Sequence, residues 1–341
     1  MRIALTGGGT GGHIYPNIAL LPKLREHFEQ ILYIGENGGM EQDIAKNNGV
    51  EFCGIDCAKL RRSFTPKNLL IPFKLIKSVN ETKKILINFK PDVIFSKGGY
   101  VSLPVCIAAH KLKIPVVVHE SDFSFGLANR LSIKYAKKVL TSFPIENYSN
   151  NDEFIFCGAP IRDEVLKATP FKVFSNQKPT VLIVGGSSGA QSLNKLVKDE
   201  LTEILKTFNV IHLCGKNKID KTITADRYKQ LEFSNQMGEL IKGADLVVSR
   251  GGANALFEII LLKKPSLVVP LSNRSSRGDQ IENANYFAKK ELIKLYDENL
   301  SLSSQLNFLY KNKKKYIDNL NNCGLKDGKD RIINAILSVL P

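Results

Sequence analysis

The 341-residue chain contains no tryptophan and only three methionines, and its six cysteines (Cys53, Cys57, Cys106, Cys157, Cys214, Cys323) include no C-x-x-C pair. With no Cys/His cluster and no H-E-x-x-H helix, a zinc centre is excluded from the reading. Several cysteines fall in apolar runs such as FIFCG and VIHLC, so they read as reduced, buried thiols of a cytosolic protein. No stretch approaches the roughly 20 apolar residues that a spanning helix needs. The apolar run after Arg2 is too short for a signal peptide, so the expected compartment is the cytoplasm. No D-x-D triplet offers a carboxylate seat for a nucleotide-bound metal, and no glycine-rich loop ends in the Gly-Lys-Ser/Thr of a P-loop. Zinc-finger spacing, RNP-like aromatic motifs and basic-region heptads are missing too, which removes nucleic acid as a partner.

What is present is an ordinary globular composition, 43% hydrophobic and 24% charged, with a net charge of +15. The length suits two domains better than one core. A basic surface attracts anionic lipid or phosphorylated ligands, although lysine-rich stretches such as KNKKKYIDN also read as solvated helix faces.

The first half alternates β-branched runs (RIALT, ILYI, DVIFS, PVVVHE, KVLTS) with helix-length segments such as Pro16–Phe28 and Lys67–Phe89. Several runs lack polar alternation, as expected for strands covered on both faces of a parallel sheet. The pattern breaks around Phe156–Pro170 and then restarts with TVLIVGG, NVIHLCG, ADLVVS, KPSLVVP and IKLYD. The expected fold is therefore α/β, with two Rossmann-like doubly wound domains facing across a cleft. The expected boundaries are 1–158 for an N-terminal domain, 159–325 for a C-terminal domain, and 326–341 for a last helix with apolar positions Ile332, Ile333, Ile336 and Leu337. A return of that helix onto the N-terminal domain is one option.

Four motifs carry chemistry. Directly after RIALT comes Thr6-Gly-Gly-Gly-Thr-Gly-Gly-His13. Glycines let a backbone turn tightly against a ligand, and the following helix start offers N–H groups to an anion. Gly7, Gly9 and Gly12 satisfy the dinucleotide pattern G-x-G-x-x-G, and Glu36 mimics its ribose-binding acid. His13 and Pro16 fit that reading badly, and a histidine closing a phosphate-type loop is suited to acid–base work. The second motif, Val181 to Ala190 (VLIVGGSSGA), repeats the strand–glycine–helix pattern at a matched position in the second half. The third, Ser249 to Glu258 (SRGGANALFE), opens a helix whose Glu258 can accept two ribose hydroxyls, with Asp279 and Gln280 following at the same sheet edge. The fourth is His119-Glu120 at the end of PVVVHE, readable as crevice-facing or as satisfied core.

In order along the chain, GGGTGGHIYP (7–16), KGGYVSLP (97–104), IPVVVHE (114–120), GAPIR (158–162), VGGSSGAQSLN (184–194), SRGGANALFEI (249–259) and DQIENA (279–284) resemble the MurG family of N-acetylglucosaminyltransferases. That resemblance implies the GT-B fold and an inverting transfer of N-acetylglucosamine from UDP-N-acetylglucosamine to undecaprenyl-pyrophosphoryl-N-acetylmuramoyl-pentapeptide in peptidoglycan synthesis. It implies no cofactor and no metal. It places Glu258 on the uridine ribose, the main chain near Phe233 and Ser234 on uracil, and Ser187 and Arg162 on the diphosphate. Gln280 and the turn Ala253, Asn254, Ala255, Leu256, Phe257 would contact sugar and nucleotide, while Thr10, Gly11 and Gly12 approach the donor from the other domain. His13 is the first choice for the base and Glu120 the second, with His119 as an orienting group.

The chain departs from the family where His-Glu-Gln-Asn becomes His119-Glu-Ser-Asp122, so that an amide contact becomes the Asp122 carboxylate. GNPVR becomes GAPIR, GGSQG becomes GGSSG, and Gly251 stands for an alanine or serine. Leu69–Ile87, with Lys74, Lys77, Lys83 and Lys84, reads as an amphipathic helix able to lie on an anionic membrane surface or to pack on its own sheet. The resemblance places the protein peripherally on the cytoplasmic face of the bacterial inner membrane. Competing readings are another GT-B enzyme (a UDP-N-acetylglucosamine epimerase or a lipid glycosyltransferase) and a non-catalytic nucleotide-sugar sensor.

Overall fold

The computed structural model describes residues 1–57, 71–144, 152–186, 191–271 and 278–340. They form two compact units. One runs to Arg162 and takes in the segment from Asp327 onward, and the other is Asp163–Lys326.

In the first unit the order is β1 (Arg2–Thr6), α1 (Gly11–His27), β2 (Gln30–Glu36), α2 (Met40–Asn47), β3 (Glu51–Ile55), α3 (Ile71–Phe89), β4 (Val93–Ser96), α4 (Ser102–Lys111), β5 (Val116–Glu120), α5 (Leu127–Ser132), β6 (Lys138–Thr141) and β7 (Phe154–Phe156). The seven strands pair in the order β3-β2-β1-β4-β5-β6-β7, all parallel. Period-two alternation divides the core. Ile3, Leu5, Phe95, Val117 and Leu140 face α1, while Ala4, Ile34, Ile94 and Val118 face α3 and α4.

The second unit runs α6 (Asp163–Leu166), β8 (Thr180–Val184), α7 (Gln191–Asp199), α8 (Leu201–Thr207), β9 (Asn209–Leu213), β10 (Tyr228–Leu231), α9 (Met237–Gly243), β11 (Leu246–Ser249), α10 (Ala253–Leu261), β12 (Ser266–Val268), α11 (Asp279–Lys289), β13 (Lys294–Leu295), α12 (Leu302–Lys311) and α13 (Lys313–Asn322). Its parallel sheet has the order β10-β9-β8-β11-β12-β13. In both sheets the order reverses beside the first strand, between β1 and β4 and between β8 and β11. Such switch points are where open α/β sheets bind ligands.

The last helix, α14 (Lys329–Leu337), belongs to the first unit: Ile332, Ile333 and Ile336 enter the core beside Leu20 and Leu24 of α1, and Asp330 pairs with Lys23. The boundary differs from the one expected at Gly158. Residues 159–162 stay with the first unit because the Ala159 carbonyl accepts from Gly328 N–H at 2.9 Å and the Ile161 carbonyl from Lys329 Nζ at 2.8 Å. The helix expected from Pro16 begins earlier, at Gly11, and carries Pro16 and Pro22 within it.

Candidate active site

The first glycine turn joins β1 to α1 and lies against the turn after β4. Gly8 N–H reaches the Gly98 carbonyl at 3.4 Å, and Tyr33 Oη donates to the Gly7 carbonyl at 2.6 Å. Asn17 Nδ2 in turn donates to Tyr33 Oη at 3.1 Å. Gly9 has φ +86°, and a Cβ there would lie 2.6 Å from Tyr100 Cε1, so only glycine suits both the backbone and the close approach. The Tyr100 hydroxyl donates to the Glu36 carboxylate. Glu36 therefore fastens Tyr100 within the protein, which uses the acid that the dinucleotide reading would place on a ribose.

Thr10 is the N-cap of α1, yet its hydroxyl caps no backbone N–H. It meets His13 Nδ1 at 3.1 Å instead. No acidic residue occupies the first turn of α1, and the positive end of a helix dipole favours an anion. Arg162 stacks its guanidinium over the Tyr15 ring, 5.3 Å from the centroid. The structure thus places Arg162 on the first unit beside this turn, rather than on the second unit with the other residues expected on the donor.

Glu120 and His119, adjacent at the end of β5, have separate tasks. Glu120 is buried. Its carboxylate accepts from Asp122 N–H at 3.0 Å, Gly126 N–H at 2.9 Å and Asn129 Nδ2 at 2.9 Å. The turn that carries Asp122 is wrapped around this carboxylate. His119 is fully buried, packs on Phe95 and approaches the Gly158 carbonyl at 3.3 Å through Nε2. Burial, reinforced by nearby Lys97, holds its pKa well below the ordinary imidazole value. Of the two readings open for His119, the core histidine is the one observed.

Lys97 follows β4 and is 0% exposed, and its ammonium donates to Ser121 Oγ. Burial pushes it down to about 8 despite the opposing carboxylates of Glu120 and Asp122. Lys97 opens the KGGYVSLP segment, but no role was read from it there, because a lone lysine after a strand is usually solvated.

In the second unit the switch point is built largely from backbone. The expected diphosphate contact Ser187 lies outside the described residues; β8 ends at Val184 before Gly185 and Gly186. After β11, Arg250 is buried and spends its guanidinium on the Val269 carbonyl (2.8 Å), the Pro270 carbonyl (3.3 Å) and Ser192 Oγ (2.5 Å). It ties the ends of β11 and β12 to α7 and is a second residue that sequence reasoning passed over. Gly251 packs against the start of α11: a Cβ there would collide with the Gln280 carbonyl, whose carbon lies at 2.8 Å. Asn283 Nδ2 donates to the Gly251 carbonyl at 3.0 Å, and Gln280 Oε1 accepts from Leu271 N–H at 3.1 Å. Gln280 is thereby brought to the opening of α10, a helix with no side-chain cap and no acid in its first turn.

Of the α10 residues expected on the ligand, Ala253 is buried, Asn254, Ala255 and Glu258 are half-buried, and Leu256 and Phe257 are core. Phe257 packs edge-on against Phe287 at 5.3 Å. The side chains of Leu256 and Phe257 lie in the core, so contact by the expected turn 253–257 would have to come from main-chain N–H groups of its first turn. Ser234 sits on the turn after β10, its hydroxyl accepting from Gln236 N–H at 3.0 Å. Among the described residues no group of three His, Cys, Asp or Glu side chains is placed to hold a metal ion.

Residues 3–141 match the family model of the glycosyltransferase family 28 N-terminal domain, and residues 180–332 that of its C-terminal domain. A UDP-N-acetylglucosamine–N-acetylmuramyl-(pentapeptide) pyrophosphoryl-undecaprenol N-acetylglucosamine transferase of Clostridium tetani is 44% identical over 98% of this chain and 97% of its own length. Among solved structures, MurG of Acinetobacter baumannii aligns with a TM-score of 0.77 at 24% identity, covering 99% of both chains. A UDP-GlcNAc 2-epimerase of Neisseria meningitidis aligns at 0.68 and 17% identity, over 99% of this chain and 100% of that one. At those identities both structures speak for the fold alone.

Proposed function

The chain belongs to glycosyltransferase family 28, among the N-acetylglucosaminyltransferases of peptidoglycan synthesis, and we propose that it moves N-acetylglucosamine from UDP-N-acetylglucosamine to undecaprenyl-pyrophosphoryl-N-acetylmuramoyl-pentapeptide. This converts lipid I to lipid II, the precursor on which cell shape and division depend. The observation that carries the reading is the near full-length match to a transferase of that specificity. The open start of α10 beside Gln280 and Glu258, and the glycine turn leading to His13, agree with it.

The reaction is one displacement. The acceptor hydroxyl oxygen forms a bond to the anomeric carbon, and the bond from that carbon to the diphosphate breaks with its electron pair leaving on UDP. His13 takes the hydroxyl proton. Glu258 takes the ribose, the turn at Ser234 the base, and the amides at the start of α10 with Gln280 the sugar and phosphates, where donors aimed at developing charge stabilise the leaving group. Glu120, already holding three donors, acts as the frame for the Asp122 turn.

The acceptor is lipid-anchored, which places the working enzyme peripherally on the cytoplasmic face of the inner membrane. No helix among the described residues is long and apolar enough to cross a membrane. Exposed Phe73 and Ile76 on α3, beside Lys74 and Lys77, and exposed Leu127 and Leu131 on α5, beside Arg130, offer apolar contact with a basic surround. Both helices pack on α4.

The test is UDP release from UDP-N-acetylglucosamine with and without a short-chain lipid-linked muramyl-pentapeptide. Acceptor-dependent release with formation of the disaccharide product is expected. Donor epimerisation without transfer, or donor binding with no turnover, would overturn the reading.

A further inference from the structure

We propose that Lys97 is a positioning residue for the acceptor side of this reaction, its buried ammonium locking the turn after β4 to the Ser121–Asp122 turn after β5. The inference rests on the transferase reading above. Lys97 lies directly beneath the glycine turn that leads to His13, where a Cβ on Gly7 would be 3.0 Å from Lys97 Cβ. Its ammonium grips Ser121 from one side, while Glu120 gathers Asp122 N–H and Gly126 N–H from the other. Lys97 therefore couples the turn carrying the base to the turn carrying Asp122. Ser121 and Asp122 are also the two positions where the His-Glu-Gln-Asn pattern is altered in this chain.

Stability does not account for the charge. A fully buried cation carries a large desolvation penalty, and apolar replacement of buried ion pairs is often neutral or stabilising. A fixed charge does set geometry and potential around neighbouring groups. Those facing Lys97 are the carboxylates of Glu120 and Asp122, the Cys157 thiol and the His119 imidazole. Burial pushes Cys157 up to about 12 and His119 well below its ordinary value, so neither changes charge near pH 8. Lys97, at about 8, does.

The experiment compares wild type with Lys97→Met, an uncharged side chain of similar length, in steady-state transfer with donor and acceptor varied separately. In the variant, kcat/KM for the acceptor should fall about ten- to a hundredfold, the scale of a small misplacement of reacting groups, with donor KM unchanged. Wild-type acceptor kcat/KM should decline as pH rises through about 8, and the variant should lack that alkaline limb. A variant equal to wild type, or one sharing its alkaline limb, overturns the proposal. Should Lys97→Met fail to fold, the wild-type profile decides, since a flat course through pH 8 overturns it equally. Failure of the transferase reading looks different: wild type then transfers nothing at any pH.

Discussion

In the first unit the carboxyl ends of β4 and β5 bury an ammonium, an imidazole and a carboxylate side by side (Lys97, His119 and Glu120). In the second, the ends of β8 and β11 bury one guanidinium, Arg250, committed to two carbonyls and a hydroxyl. There the opening of α10 has no side-chain cap and no acid in its first turn. In both units a glycine-bearing segment follows the first strand at the point where the strand order reverses. On the proposed reading, the difference follows from what each unit would hold. A nucleotide diphosphate brings its own charge and is met by aligned N–H groups that need no proton. An acceptor hydroxyl is neutral and must lose a proton, so its side of the reaction needs titratable groups held in fixed relation.

The contrast is broken most severely at Glu120. Glu120→Gln would turn an amide donor toward one of three N–H donors, at a cost of about 1.5–3 kcal/mol of stability for the charged hydrogen bond lost. Acceptor kcat/KM should fall about a hundredfold or more. The acidic limb of its pH profile should stay where it lies in the wild type. A limb that disappears in the variant would make Glu120 the base instead of His13.

Gly251→Ala probes the backbone-built side. The added methyl must displace the Gln280 carbonyl, an overpacking of about 1–3 kcal/mol. Donor KM should rise severalfold while acceptor KM holds. A variant with unaltered donor KM and melting temperature would mean that the start of α11 yields freely.

The smallest effect is expected at the surface. Phe73→Ser with Ile76→Ser should leave transfer to a soluble short-chain acceptor intact and weaken co-sedimentation with anionic vesicles, by about 1.5–3 kcal/mol for each apolar side chain no longer buried. Undiminished vesicle binding would move the contact to α5.

How much of this was legible in the sequence depended on burial. The central strands were readable because covering both faces leaves an unbroken apolar run, as in VVVHE and LVVS. The strands passed over, β3 and β10, lie at sheet edges, and their mixed sequences (EFCGI, YKQL) are only partly buried. Glycine motifs announced both switch points, since close approach leaves a compositional mark at Gly9 and Gly251. Lys97 and Arg250 lie inside quoted segments, KGGYVSLP and SRGGANALFE, yet nothing there marked either side chain as buried. Their roles come from long-range neighbours, Ser121 for one and Val269 and Ser192 for the other, that no local pattern joins. For the same reason the sequence did not show that, within the turn 253–257, Leu256 and Phe257 face the core.

The division of labour is tested most directly by titrating UDP-N-acetylglucosamine calorimetrically into wild type, His13→Ala and Glu258→Ala, with transfer assayed on the same samples. The account predicts that His13→Ala binds donor as wild type does yet loses transfer by about 10²–10⁴-fold, the usual share of acid–base catalysis. Glu258→Ala should lose donor affinity. Donor binding that collapses in His13→Ala and survives in Glu258→Ala would contradict it.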